Sequence, residues 1–304
     1  MEYGGKSVTF DRKAVLGKGA TAVVFSGTWG NQNVAIKRGE LPKLNVREES
    51  IMKAIGHHEN VIDCFGILKD CDFIYIILEL CDFTVEEYCQ GVYKGIVPPD
   101  YQALYQMADG LHFIHSKNLA HRDISTRNVL IKLTGDKVVL KIADFGVCKI
   151  ASNSGSLSMS GDGCKGTLPF IAPELLKQMQ DDNYQESNEN GVRGHTSNDI
   201  FSLGCVFYRF LTKDGHPFIK GSVKLCYLTN NLIIKLNILD NKQSLEGLSE
   251  DQAFAKALIV KMIHPEKKER PLLEAVKEEL YSHLNSIDLH SNCTPSVPYL
   301  VEGV

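Results

Sequence analysis

Between His121 and Gly146 the chain sets out three oxygen-bearing side chains at spacings that suit phosphoryl transfer. His121-Arg122-Asp123 is followed by Asn128, five residues after the aspartate, and then by Asp144-Phe145-Gly146. Asp123 offers a carboxylate to orient a hydroxyl and take its proton. Asp144, with the amide oxygen of Asn128, offers hard ligands for magnesium. A reaction whose catalysis is mostly positioning and charge neutralisation needs these parts. Any one of the tripeptides is weak evidence, but the ordered set is strong.

Partners for this set lie upstream. Gly17-Lys18-Gly19-Ala20-Thr21-Ala22-Val23-Val24 falls between two strand-like runs. Its first two glycines fit a turn whose backbone lies close over phosphates, and Val24 can cover a planar base. Ala22 stands where a third glycine would be, so in isolation a plain hairpin is the commoner reading. Lys37 ends the apolar strand Val34-Ala35-Ile36, so its ammonium is expected to point inward and to need a counter-charge. Glu48, on the next helix and just before Ile51-Met52, is the expected partner, with Glu49 the near alternative. His112 and His115 read as core residues rather than a metal pair, and Trp29 as a strand-surface residue. Ser152, Ser154, Ser156, Ser158 and Ser160 would ordinarily be solvated loop. Between Asp144 and Ala172-Pro173-Glu174, however, phosphorylation there could order the segment, with Arg122 as the receiving cation. Ser156 and Ser158 are the expected acceptors.

The elements that must position these residues follow from patterning. Val8-Thr9-Phe10, Val23-Val24-Phe25 and Val34-Ala35-Ile36 alternate as antiparallel strands, with a tight turn at Trp29-Gly30-Asn31. Pro42 to Ile55 reads as a helix, and Val61–Leu68 and Phe73–Leu80 as strands. Beyond residue 84 helical spacing takes over: Tyr101 to Ile114, Asp199 to Leu211, Ala253 to Ile263, and a last helix after Pro271. Residues 152–165 and 178–197 are polar and read as exposed loops. An α+β architecture is expected, with a small β-rich lobe joined to a larger α-rich lobe near residues 79–83.

With 304 residues the chain can hold two lobes, and a net charge of −4 argues against broad binding to nucleic acid or anionic membrane. No basic cluster with interleaved aromatics supports a nucleic-acid partner. The nine cysteines are scattered without a Cys-x-x-Cys pair, which favours thiols in a reducing compartment over a disulfide framework or zinc site. No run approaches the ~20 apolar residues needed to cross a bilayer, and neither a signal peptide nor a lipid-anchor motif is visible. A cytoplasmic protein without a membrane partner is the expectation.

Taken together, Gly17, Gly19, Lys37, Glu48, Asp123, Asn128, Asp144-Phe145-Gly146, Ala172-Pro173-Glu174, Asp199 and Arg270 resemble the eukaryotic protein kinase pattern, from about Val8 to Leu284. The resemblance implies a bilobal α+β fold. Residues 8–80 would form the N-lobe, an ATP-binding sheet plus a helix. Residues 81–285 would form the C-lobe with the catalytic loop and activation segment, and 286–304 a short, poorly ordered tail. It implies ATP and Mg²⁺ as cofactors and a protein substrate. The implied catalytic residues are Asp123, Lys37, Glu48, Asn128 and Arg122, with Asn128 and Asp144 on the metal. Leu16, Gly17, Gly19, Val24, Ala35, Lys37, Leu78, Glu79 and Cys81 form the implied nucleotide site, with Leu78 as gatekeeper and Glu79 and Cys81 presenting backbone groups to adenine. Glu174 is implied to pair with Arg270, and Asp199 to anchor the helix under the catalytic loop.

Within that superfamily, Ile76–Cys81, Asp144–Lys149, Asp199–Tyr208, Gly215-His216-Pro217-Phe218 and Ala257–Ile263 are most similar to the inositol-requiring stress-sensor kinase/endoribonuclease family. Self-association through the kinase domain follows from that resemblance. Counterparts of that family's luminal, membrane and ribonuclease parts are absent from the sequence, so a truncated product or a stand-alone kinase without RNA cleavage is expected. The catalytic loop departs from the serine/threonine pattern in placing Ser125 where lysine is usual, and Arg127 resembles the tyrosine kinases. Gly166-Thr167 is similar to the serine/threonine type. Serine/threonine transfer is expected, with a tyrosine or dual-specificity kinase, or a nucleotide-sensing docking module, as alternatives.

Overall fold

The computed structural model describes residues 1–19, 21–41, 46–158, 165–180, 193–221 and 227–291, with backbone alone at 46–48, 53, 158, 193, 227–230 and 284–291. The chain opens with strands β1 (Glu2–Tyr3), β2 (Lys6–Lys18), β3 (Ala22–Trp29) and β4 (Gln32–Glu40). Helix α1 (Val46–Ile55), β5 (Cys64–Lys69) and β6 (Phe73–Glu79) follow. The six strands form one antiparallel sheet in the order β1-β2-β3-β4-β6-β5. Period-two alternation gives the sheet two apolar faces. Val8, Val34, Ile36, Tyr75 and Ile77 pack on one, and Ala22, Ile74 and Ile76 on the other. The β3–β4 hairpin turns at Gly30, whose φ of +60° is one that glycine adopts at little cost.

Short pieces and helices then alternate: β7 (Phe83–Thr84), α2 (Val85–Cys89), α3 (Asp100–Ser116), β8 (Leu119–Ala120), β9 (Val129–Thr134) and β10 (Lys137–Ile142). They are followed by β11 (Lys149–Ile150), β12 (Ser156–Ser158), α4 (Pro173–Gln178), β13 (Arg193–His195) and α5 (Ser197–Thr212). Helices α6 (Tyr227–Leu239), α7 (Ala253–Met262) and α8 (Leu273–Ser291) complete the chain. Helix α5 is buried on nearly every side, with Phe201, Phe207 and Phe210 fully enclosed, as a helix apolar all round must be. One core runs from Ile51 and Met52 of α1, through Val61, Ile62 and Ile142, to Leu280 of α8, so the small and large lobes share a continuous apolar interior.

Four expectations are corrected. The strand expected from Val61 begins at Cys64, because Val61 and Ile62 turn instead to bridge Ile142. The polar stretches 152–165 and 178–197 are not wholly exposed loop. Ser156, Leu157 and Ser158 pair with His195, Gly194 and Arg193, and Leu157 is buried. A backbone ladder and one apolar anchor suffice there, which composition does not reveal. Helices α4 and α6 lie where no helix was expected. Finally, α8 runs past Asn285 to Ser291, and residues 292–304 lie outside the described residues.

Candidate functional site

The loop between β8 and β9 holds His121 to Asn128, and its shape is dictated by Asp199 in the first turn of α5. The fully buried Asp199 carboxylate accepts the backbone N–H groups of His121 at 2.8 Å and Arg122 at 2.7 Å, and the His115 ring nitrogen at 2.9 Å. Those bonds hold Arg122 at φ +71°, a left-handed conformation few L residues adopt unaided. Burial opposes the Asp199 charge. The His115 hydrogen bond and charge, the His121 charge and the Arg122 N–H overcome that and keep its pKa below the ordinary aspartate value. His115 thus serves the loop rather than simple core packing.

Asp123 is fixed at both oxygens. Thr167 Oγ1 donates to Oδ1 at 2.7 Å, and Asn128 Nδ2 donates to Oδ2 at 3.0 Å and to the Asp123 carbonyl at 2.8 Å. With the Asn128 amide nitrogen committed twice, its oxygen is the end left to face a cation. Asn128 is tied in turn to the segment that follows β10, its carbonyl accepting Ala143 N–H at 2.9 Å. One residue on, Asp144 takes φ +68° and accepts Lys37 Nζ at 2.8 Å and the Gly146 N–H at 3.2 Å. Desolvation works against its charge, but the Lys37 ammonium prevails, with the Gly146 bond adding to it, and holds the carboxyl below the usual range. Its side chain still keeps 48% of its surface open. Asp123, Asn128, Asp144 and Lys37, 107 residues apart at the extremes, therefore converge on one cleft.

Lys37 is buried in β4 opposite Val24 and Ile76, and Ala35 pairs with Leu78, so the strand carrying the lysine lies against the hinge strand. The side chain of Glu48, the expected counter-charge, lies outside the described residues. The alternative, Glu49, is engaged with Lys69 at 2.5 Å. Above the cleft, a Cβ on Gly17 would meet open space, and one on Gly19 only the Ala22 carbonyl at 3.6 Å. Gly17 and Gly19 therefore leave room for a ligand. Leu16 is exposed and Val24 half-buried. Beyond Leu78, Glu79 and Cys81 enter the C-lobe at a braced hinge. Lys141 Nζ lies 2.9 Å from Glu79 Oε2, and Lys132 Nζ donates to the Leu80 carbonyl at 2.6 Å. Burial pushes the Cys81 thiol up to about 12, so it stays protonated.

On the C-lobe side, Arg270 grips Glu174 in a bidentate pair, Nη1–Oε1 and Nη2–Oε2 both at 2.7 Å, and Asn198 Nδ2 also reaches Glu174. Arg122 Nη1 donates to the Val147 carbonyl at 3.0 Å, which places its guanidinium beside the start of the activation segment. Within that segment Ser152 and Ser154 are exposed and Ser156 is half-buried in β12. The Ser158 side chain and Ser160 lie outside the described residues. Ser125, where a lysine was the usual residue, is fully buried.

The structure also assembles residues that sequence reasoning passed over. Lys141 sits in an apolar strand just as Lys37 does, so the same cue would have found it. Glu86 and Arg209 form a buried pair, Arg209 Nη2 to Glu86 Oε1 at 3.0 Å, that also touches Thr126. Glu86 lies beside Glu87 of a helical capping box, where a solvated carboxylate is the ordinary reading.

Comparison with known proteins agrees with this geometry. The protein kinase domain pattern matches residues 10–282. The chain is 34% identical to the human serine/threonine-protein kinase/endoribonuclease IRE2, over 87% of this chain and 27% of that protein. It is 32% identical to the serine/threonine-protein kinase/endoribonuclease ireA of Aspergillus fumigatus, over 89% of this chain and 25% of the relative. To ire-1 of Caenorhabditis elegans, which carries the same description, identity is 31%, over 90% of this chain and 27% of the relative. The chain thus spans about a quarter of the length of these curated relatives.

Proposed function

The chain belongs to the protein kinase domain family, and from that premise we propose that it transfers the γ-phosphate of ATP to serine or threonine hydroxyls of a protein. The observation that carries this reading is the clamped carboxylate of Asp123, with Oδ1 held by Thr167 and Oδ2 by Asn128. A base fixed at both oxygens presents its lone pairs to an acceptor hydroxyl in one orientation, which is the main protein contribution to this chemistry. Lys37, buried and anchored on Asp144, is placed to hold phosphate oxygens. Arg122 steadies the activation segment. Leu16, Gly17, Gly19, Val24, Ala35, Leu78, Glu79 and Cys81 form the nucleotide cleft in this reading, and Glu48 governs Lys37.

The Asp144 carboxylate and the Asn128 amide oxygen fit a magnesium ion, which takes hard oxygen ligands. When bound, such an ion neutralises phosphate charge as it develops. Serine or threonine specificity is supported by the Thr167 contact and by the descriptions of the relatives. We extend the same reading to autophosphorylation within Ser152–Ser160, with exposed Ser152 and Ser154 the most accessible of the described serines, and to self-association through the kinase domain. Cytoplasmic placement is part of it, in keeping with the buried thiols of Cys89, Cys148 and Cys205.

A second reading, a nucleotide-gated docking module, draws on Ser125, whose buried hydroxyl does not supply the cation that lysine would. Transfer of labelled γ-phosphate from ATP·Mg²⁺, with phosphoamino-acid analysis of wild type and Asp144→Asn, separates the two. Label on serine or threonine that disappears in the variant is expected. Label on tyrosine would reverse the acceptor class, and tight nucleotide binding without label would favour docking.

A further inference from the structure

The catalytic loop is held from both ends by the same helix. At its N-terminal end Asp199, in the first turn of α5, takes the N–H groups of His121 and Arg122. At its C-terminal end Thr126, fully buried, meets Glu86 twice. The Thr126 carbonyl accepts the Glu86 N–H at 2.9 Å, and the Thr126 hydroxyl donates to Glu86 Oε2. Glu86 is fixed in turn by α5. Arg209 Nε reaches Oε2 at 3.2 Å and Nη2 reaches Oε1 at 3.0 Å, while Gln90 Nε2 adds a bond to Oε1 at 2.8 Å. Arg209 follows Asp199 by ten residues (209 − 199), about 15 Å along a helix rising ~1.5 Å per residue. Helix α5 therefore spans the loop, bonding it directly before Asp123 and through Glu86 of α2 after it.

We infer that Glu86, clamped by Arg209, is a positioning residue for phosphoryl transfer, setting the register of Asp123 and Asn128 through the Thr126 hydroxyl. This inference deepens the kinase reading above and rests on it. A buried ion pair is weak evidence for stability, since apolar residues of the same volume often serve as well. Its directional bonds are what an apolar cluster cannot reproduce. The path to the site is short: Asn128 N–H donates to the Ser125 carbonyl at 3.0 Å, beside Thr126, and the Asn128 amide holds Asp123. A shift of Thr126 thus carries through Asn128 to the Asp123 carboxylate. Burial disfavours the Glu86 charge, but Arg209 and the Thr126 hydrogen bond overcome it and keep the carboxyl below its ordinary range.

The test uses Thr126→Val, which keeps shape and leaves the Glu86–Arg209 pair intact, with Thr126→Ser as the conservative rescue. Thr126→Val should lower kcat for phosphate transfer roughly ten- to a hundredfold, the scale of a misplaced catalytic group, with the KM for ATP unchanged. Amide hydrogen exchange across residues 121–128 should quicken in the same variant, and Thr126→Ser should restore both. If Thr126→Val does not fold, Glu86→Gln replaces it with the same expected signature. A wild-type kcat per folded molecule, with only the melting temperature lowered, would overturn the inference. If the wild type itself transfers no phosphate, the kinase reading fails, and exchange still decides this one: identical protection of 121–128 in wild type and variant overturns it.

Discussion

Thr167 Oγ1 donates a 2.7 Å hydrogen bond to Asp123 Oδ1, joining the end of the activation segment to the proposed base across 44 residues of chain. Thr167 lies beside Gly166, whose φ of +140° brings the segment close to the Arg122 carbonyl. The acceptor platform and the base thus share a contact, and a change in either alters the other. Replacing Thr167 with valine should lower kcat by roughly tenfold or more while leaving nucleotide binding intact, because the lost bond orients rather than binds. Serine should retain most of the activity. Equal rates for the valine variant and wild type in steady-state transfer would show that Asn128 alone orients Asp123.

Lys37 and Asp144 make the other bond on which the site depends. Asp144→Asn keeps the shape but removes the charge that both Lys37 and a cation would meet. Phosphate transfer should then be lost across a magnesium titration, and the magnesium-dependent part of nucleotide affinity should vanish with it. Isothermal titration with ATP, with and without magnesium, reads this directly. A variant whose ATP affinity still rises with magnesium as in wild type would remove Asp144 from the metal site.

Much of this arrangement is legible in the sequence alone. The alternation of β2 to β4 and the apolar β6 placed Lys37 beside the hinge, and the spacing from Asp123 to Asp144 matched the cleft. What escaped was set by partners distant in the chain. Among the described side chains of helix α6 only Ile234 and Ile238 are buried, while Leu232, Ile233 and Leu236 stay exposed, so its apolar residues show no clean helical period. The β12–β13 ladder joins two polar stretches through backbone bonds, to which side-chain patterning is blind. Glu86, Arg209 and Lys141 are charged residues buried by pairing, and a lone sequence offers no measure of which cation meets which carboxylate.

The Glu174–Arg270 pair predicts a stability effect rather than a catalytic one. The Arg270 side chain is fully enclosed and also donates to the carbonyls of His264 at 2.8 Å and Ser197 at 3.1 Å. Arg270→Ala strips these carbonyls and leaves the Glu174 charge without its partner. Truncating one member of such a pair costs about 3–5 kcal/mol. Urea unfolding of the variant should show a loss of that order, with the slope against denaturant unchanged. A loss within about 0.5 kcal/mol, the range of ordinary surface changes, would mean that Asn198 supports Glu174 unaided.

His216 predicts how stability depends on pH. Its ring is buried between Phe170 and Phe218, and Nδ1 accepts the Phe218 N–H at 3.3 Å. Burial, and then the nearby Arg209 charge, push its pKa from 6.5 down to about 3. Above pH 6.5 the ring is neutral in the folded and unfolded chains alike, and its contribution to stability is intact. As pH falls from 6.5 toward 3, the unfolded chain takes up a proton that the folded chain refuses, so stability is lost progressively across that window. His216→Gln has no such proton to bind, and its side chain can still accept a hydrogen bond. Melting temperatures measured from pH 7.5 to pH 5 should therefore fall less steeply in the variant than in wild type. Other groups that titrate in this range are common to both proteins, so the difference in slope isolates His216. Parallel slopes would mean that the folded protein protonates His216 as readily as the unfolded chain does, and that the Phe170–Phe218 enclosure opens to water.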